Sequence, residues 1–594
     1  MKRLTLILFT AWIMLSIFCM TAHAGDLSGT YVEVLSPTSI TPSTSQTYYF
    51  NLTMWSTDVD EWLLTFQVVL PSGYTVTDMQ YPDPVHTDGY WDGEYSGNIV
   101  TWYFYQSQYP GQIGDAANGQ SIDFICTATS NASGTNGFNY ALTGDMGGAG
   151  SGTAYVGNPL VTSSNILDYQ VIDLTQDLII TWDKSIKTET FTYSLTPDGG
   201  SSAVLWSNDN KTATITHGAY GADTDILLKI THVESQDSIP GGRPLFHLST
   251  APELKVIPFI DDGFPTIDGV INEDEWASAL MLNAPGPNDP SAKAYIVATY
   301  DKIYIAVDTP ADTILMMNDQ AIFYVDVNGD GQWPSGPPSK DLPEGIEGTY
   351  WILNQGDIAI VSFSARFGDF LTGTYYSDDS YDSSAGVDAA ISADSGHVQY
   401  EAAFDNQESY FKVLPGDTFG MYLFGYSFVF TEQSFYEMAQ NPKAGIPEVP
   451  AAHRKYSIEL GPTPELGSIE PNQGRPTIAT PVVLTGNNFG RGVIAFIGTY
   501  ELLDLELISK TEIHGTVPPG IPEGSYDVIV QNLDKQTATI AGGWTSTNNP
   551  VDDDAGADDD SAGGDDSGAD DDSGADDDTG GADDDDNGTT GCGC

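Results

Sequence analysis

The run Asp326-Val327-Asn328-Gly329-Asp330-Gly331 places oxygen-bearing side chains at positions 1, 3 and 5 of a loop and glycine at position 6. Hard oxygens spaced in this way converge on one side of a tight turn, which is the first half of a calcium loop. Position 12, where a bidentate glutamate should stand, holds Pro337. An EF-hand is therefore not expected, and Asp341 or Glu344 would have to complete a calcium cage around Asp326, Asn328 and Asp330. A plain Asn/Asp/Gly turn is the competing account. Three aromatics follow: Trp333 in the loop Gln332-Trp333-Pro334-Ser335-Gly336, then Tyr350 and Trp351. An exposed ring can stack on the apolar C–H face of a pyranose while a few polar groups fix its orientation. Trp333 leads as a glycan-binding candidate because loop aromatics are seldom core. Tyr350-Trp351-Ile352 reads as a strand, so one ring of that pair faces inward.

Catalytic chemistry finds little support. The eight histidines (His23, His86, His217, His232, His247, His397, His453 and His514) show no H-x-x-x-H spacing for a metal. There is no G-x-S-x-G elbow, P-loop or dinucleotide fingerprint. With 83 acidic residues some carboxylate pair is always available for glycoside hydrolysis, so the pairs are uninformative. A non-catalytic protein is expected.

Charge and compartment narrow the class further. The formal net charge is −63, and no basic stretch offers a footprint for nucleic acid or anionic lipid. Lys2 and Arg3, the apolar run from Leu4 to Met20 and the Ala22-His23-Ala24 site have the layout of a secretory signal peptide spanning residues 1–24. No other stretch is apolar and long enough to span a bilayer, so no membrane insertion is expected after cleavage. The expected location is extracellular or the bacterial cell surface. The mature chain keeps Cys126, Cys592 and Cys594. Cys126 sits in an alternating run and reads as a buried thiol, so no disulfide framework holds the domains.

The elements point to an all-β chain. Short alternating runs of Val, Ile, Thr and aromatics recur between Gly/Pro/Asn/Asp clusters, the pattern of tandem antiparallel sandwiches. Composition divides the mature chain into segments at 25–161, 162–251, 252–460 and 461–546, then an acidic tail at 547–594. In the first, Trp91 and Trp102 are expected as core or cross-strand rings. The tail is Asp-Gly-Ala-Ser repetition without core-forming residues, so disorder is expected. Its closing Cys592-Gly593-Cys594 offers two thiols whose use, as anchor or as free ends, stays open.

Four segments carry family resemblances. Ile469-Glu470-Pro471-Asn472-Gln473-Gly474, the run Val482 to Gly490 and Gly524-Ser525-Tyr526-Asp527-Val528 resemble the IPT/TIG Ig-like domain. There Gly486 and Gly490 are expected to take positive φ around a turn, with Phe489 packing back into the sandwich. Leu178 to Ile186, followed by Phe191 to Leu195, is similar to bacterial Ig-like domains of S-layer proteins. Through Leu70-Pro71-Ser72-Gly73-Tyr74 alone, the first segment, 25–161, is loosely similar to the Ig-like repeats of bacterial surface proteins. Ile267-Asp268-Gly269, Glu275-Trp276, the Tyr300-Asp301 hairpin and the strand ending at Asp326 resemble carbohydrate-binding module family 9. That resemblance implies a glycan-binding sandwich in which Trp276 plugs the core. The expected function is a non-catalytic carbohydrate-binding protein with Ig-like spacers, its partner a polysaccharide or cell-surface glycan. The alternative is a structural or adhesive surface protein rigidified by calcium.

Overall fold

The computed structural model describes residues 27–549 apart from 57–60, 86–88, 107–113, 117–119, 340–344, 382–384 and 430–433 and single residues 146, 201 and 357. The segment 1–24 expected to be a signal peptide, the Asp-rich tail with Cys592 and Cys594, and the two residues Asp341 and Glu344 thus lie outside the described residues. The described chain is all β: strands with two single-turn 3₁₀ segments and no α-helix. No described helix is long and apolar enough to cross a membrane.

Strand pairing closes within residues 31–155, 161–250, 255–458 and 465–546, two sheets in each. Alternation is the cause. In Ser121–Thr129 every second residue is buried, and Phe124 and Cys126 both point into the first core. Trp91 and Trp102 are buried in the same core, and each finds an acceptor for its indole N–H, Asp115 Oδ2 at 2.6 Å and the Gln80 carbonyl at 2.8 Å. Burial pushes the Cys126 thiol up to about 12, so it behaves as a small apolar side chain.

The third unit stacks a five-stranded sheet on an eight-stranded one. Lys293–Ala298 and Lys302–Thr309 form the expected hairpin, and Val398–Asp405 pairs with the second of these. Glu401, fully buried on Val398–Asp405, organises the entry to this unit. It accepts the Trp276 indole N–H at 2.9 Å and the backbone N–H groups of Asp268 and Gly269 at 3.0 and 2.8 Å. The Ile-Asp-Gly and acidic-Trp motifs are thus two halves of one arrangement. Burial raises the Glu401 carboxyl and these three donors hold it back down. Trp276 is core, 3 % exposed.

In the fourth unit Phe489 is buried in the sandwich, but the turn differs from expectation. Asn488 and Gly492 take the positive φ values, 60° and 74°, rather than Gly486 and Gly490. The latter two are glycine for lack of space. A Cβ on Gly486 would strike the Glu465 carbonyl, and one on Gly490 would strike the ring of Tyr300 in the third unit.

Neighbouring units are joined by specific contacts. The His247 imidazole stacks between the rings of Trp55 and Tyr169, 5.2 Å from each, and accepts the Trp55 indole N–H on Nδ1 at 3.0 Å. Asp223 of the second unit accepts from Arg454 of the third at 2.8 Å and from the Ala444 N–H at 2.9 Å. Tyr300 accepts from Asn532 of the fourth unit at 3.0 Å, and Lys510 meets Asp261 at 2.8 Å. The Arg454 side chain is only 9 % exposed, and a buried cation without its partner is costly. Asp223→Ala is therefore expected to destabilise the joined second and third units by about 3 kcal/mol. A lowered urea midpoint checks this, with most of the loss recovered in Asp223→Ala/Arg454→Met. An unchanged midpoint would show that this pair does not hold the junction.

Candidate functional site

The strand Gln320–Asp326 reads Gln-Ala-Ile-Phe-Tyr-Val-Asp, with every residue after Gln320 buried. Ala321, Phe323 and Val325 face the interior between the sheets, while Ile322 and Tyr324 lie on the outer face. Tyr422 and Phe424 on Thr418–Val429 extend that outer apolar face. Water cannot be left against such a surface, and the loop after Asp326 folds back over it.

Trp333 is the residue that does so. It is 6 % exposed, packs with Tyr324 and His453, and donates its indole N–H to the Glu448 carbonyl at 2.8 Å. Its assignment as an exposed stacking ring is corrected: the apolar outer face takes the ring as cover. Tyr350 is corrected likewise. Its ring points inward against Phe363 and Phe404, 1 % exposed, and its hydroxyl accepts the Tyr410 N–H at 2.9 Å.

Trp351 has the opposite orientation and is half-buried on the outer face. Strand register sets Ile322 on one side of it and Ser362 on the other; one step along, Gln320, Leu353 and Ile360 line up. Ile360 is 43 % exposed, so this part of the face is open. The Arg366 guanidinium lies 5.3 Å from the Trp351 ring centre, within 5.7 Å of the Tyr324 and Tyr375 rings, and its Nε donates to Thr349 Oγ1 at 2.9 Å. A cation fixed over aromatic faces keeps both ring and guanidinium in place. Sequence reasoning missed Arg366, whose signal was alternation with Phe363 and Ala365 on Ala359–Phe367. Separately, an open groove of about 400 Å³ lies on the five-stranded sheet, lined by Ile267, Lys302, Tyr304 and Asp388, beside the exposed ring of Phe264.

The oxygen-rich turn is present but differently composed. Asn328 is consumed locally: its Oδ1 accepts the Asp330 N–H at 2.8 Å and its Nδ2 donates to Asp330 Oδ2 at 3.2 Å. Asp326 and Asp330 instead gather with Glu347, which the sequence did not single out. Val325 pairs with Gly348, so Glu347 falls opposite Asp326 across the ladder. Burial, then the charges of Asp326 and Asp330, push the Glu347 carboxyl up to about 8. Burial also raises Asp326, against the opposing charge of Lys455.

Comparison with known families bears on the fourth unit. Residues 464–548 match the IPT/TIG domain family model. No curated protein matches the chain. Among solved structures, a carbohydrate-binding module family 9 from Caldicellulosiruptor kristjanssonii in complex with cellotriose is 14% identical, covering 35% of this chain and 94% of that one at a TM-score of 0.25. The S-layer protein rSbsC(31-844) is 11% identical over 65% of this chain and 54% of its own, with a TM-score of 0.13. The C-terminal fragment of the major pilin GBS80 of Streptococcus agalactiae is 11% identical over 38% and 92%, with a TM-score of 0.15. None of these likenesses assigns a ligand to this chain.

His453, beneath Trp333, gives a pH prediction. It is fully buried, its Nε2 bonded to the Pro447 carbonyl at 2.8 Å, and burial lowers it from 6.5 to about 3. Between those values the unfolded chain takes up a proton that the folded imidazole refuses. Stability of the third unit therefore falls as pH drops from about 6.5 towards 3 and gains nothing from this group above 6.5. Nitrogen-15 NMR should show a neutral ring, protonated at Nε2, at pH 5. A titration midpoint near 6.5 would contradict this burial.

Proposed function

We propose that this is an exported, non-catalytic carbohydrate-binding protein that presents the third unit on a stack of Ig-like spacers. The observation that carries this reading is the open part of the outer face around Trp351. An aromatic ring held by Arg366, with Ser362 beside it and Gln320 one step along the same face, puts hydrogen-bonding side chains next to a stacking surface. Those are the two features a pyranose requires. The net charge of −63 opposes anionic glycans at low salt, so the fitting class is a neutral polysaccharide. The leader-like first 24 residues support export. Glu401, tied to Trp276 and two backbone donors, acts as a structural acceptor rather than an acid or base.

A structural or adhesive role is the second reading, favoured by the Trp55–His247–Tyr169 stack and the Asp223–Arg454 pair that fix one unit against the next.

A glycan array probed with the full chain, followed by calorimetry on the best oligosaccharide, separates the two. Affinity in the micromolar to millimolar range, about −8 to −4 kcal/mol, is expected. Trp351→Ala should weaken it at least tenfold in a chain that still unfolds cooperatively, at a smaller cost in stability than the fully covered Trp333. Trp333→Ala should instead cost about 3–5 kcal/mol of stability. Silence of a folded chain across neutral glycans would favour the structural reading.

A further inference from the structure

Two buried carboxylates facing each other across a β-ladder, each with an oxygen that nothing satisfies, call for a counter-charge. Asp326 is fully buried and Glu347 is 6 % exposed. Asp326 Oδ1 and Glu347 Oε2 have no hydrogen-bond partner. Buried polar atoms are nearly always paired, and unpaired carboxylate oxygens carry the full penalty of leaving water. The third member, Asp330, is exposed at the rim, which leaves a path for an ion to enter.

We propose that Asp326, Asp330 and Glu347 form a divalent-cation site, filled by calcium outside the cell, that fastens the turn after Gln320–Asp326 to the start of Gly348–Asn354. One ligand atom from each residue lies within 4.8 Å of the others, inside the roughly 5 Å that two calcium–oxygen bonds can span. The donors are all hard oxygens, and only one of the three is exposed, so the ion would exchange most of its water for carboxylate. Calcium accepts this more readily than magnesium, which gives up its water reluctantly.

The charges also fit. Lys455 Nζ lies 3.2 Å from Asp326 Oδ2 and bonds the Gly329 carbonyl, while the Gly331 N–H donates to the same Oδ2 at 2.9 Å. This oxygen is therefore satisfied from the protein side, and Oδ1 is the one left for an ion. Three carboxylates and one ammonium leave a charge of −2, which one divalent cation neutralises. Asn328, spent on bracing Asp330, shapes the turn and is not a ligand in this site.

The eighteen aspartates after Val551 would take up calcium diffusely, so total binding cannot test the site and a local readout is needed. Hydrogen exchange of the full chain, in 1 mM calcium chloride against EDTA, reads peptides covering residues 320–335 and 345–354. Calcium should slow exchange in both at least tenfold, and equimolar magnesium should not. Asp330→Asn and Glu347→Gln should each abolish the slowing. In EDTA, Glu347→Gln should exchange no faster than the parent, since the amide removes a repelling buried charge. Should Glu347→Gln prove misfolded, Asp330→Asn at its exposed position decides. No slowing in the parent, or slowing retained in Asp330→Asn, overturns the site. Equal slowing by magnesium overturns the choice of calcium.

Discussion

The large sheet of the third unit is apolar on both faces, and this constraint sets the rest of the site. Phe323 and Tyr350 fill the interior, while Ile322, Tyr324, Tyr422 and Phe424 form a second apolar surface on the outside. Burial of a side chain of this size is worth about 1.5–3 kcal/mol, so the outer surface recruits its own cover. Trp333 supplies it from the loop after Asp326, with His453 beneath and the Glu448 carbonyl as its hydrogen-bond partner. Cover stops short of Trp351, and the face there stays open. The buried aromatic cluster and the candidate ligand face are thus continuous parts of one surface.

The same fold-back explains the acidic cluster. To lay Trp333 over Tyr324, the chain must turn sharply at the end of Gln320–Asp326, and Gly329 and Gly331 adopt φ of 67° and 82° to do so. The turn leaves Asp326 buried, with Glu347 opposite it at the start of the next strand. Structural economy at one corner therefore produces both the ring that is unavailable to ligand and the carboxylates that need a counter-charge. Junction contacts at His247, Arg454 and Tyr300 then fix how this unit sits among its neighbours.

The all-β class was legible because alternation in runs such as Ser121–Thr129 is strict and turn residues bound each run. The hairpin joining Lys293–Ala298 to Lys302–Thr309 was readable for the same reason. Trp333 was misread because its Gly/Pro surroundings describe the local turn and not the surface onto which it folds. A signal was present: Ala321-Ile322-Phe323-Tyr324-Val325 does not alternate, and an unbroken apolar strand is one buried on both faces. Glu347 was out of reach, since register across the connection from Asp326 to Gly348 is fixed by tertiary packing and not by local pattern. The spacing of Asn328 suggested a ligand, whereas its amide bonds Asp330 twice. Gly486 and Gly490 show the limit at another site, where a neighbouring carbonyl and the Tyr300 ring demand glycine.

In the proposed function, a neutral oligosaccharide docks on the open outer face beside Trp351, clear of the covered aromatic cluster. Hydrogen exchange of the full chain with and without the best-binding oligosaccharide tests it most directly. Protection confined to peptides covering residues 320–326, 348–354 and 359–367 is the expected result. Protection centred on the groove at Lys302 and Asp388, on another unit, or on none while binding persists, would contradict it.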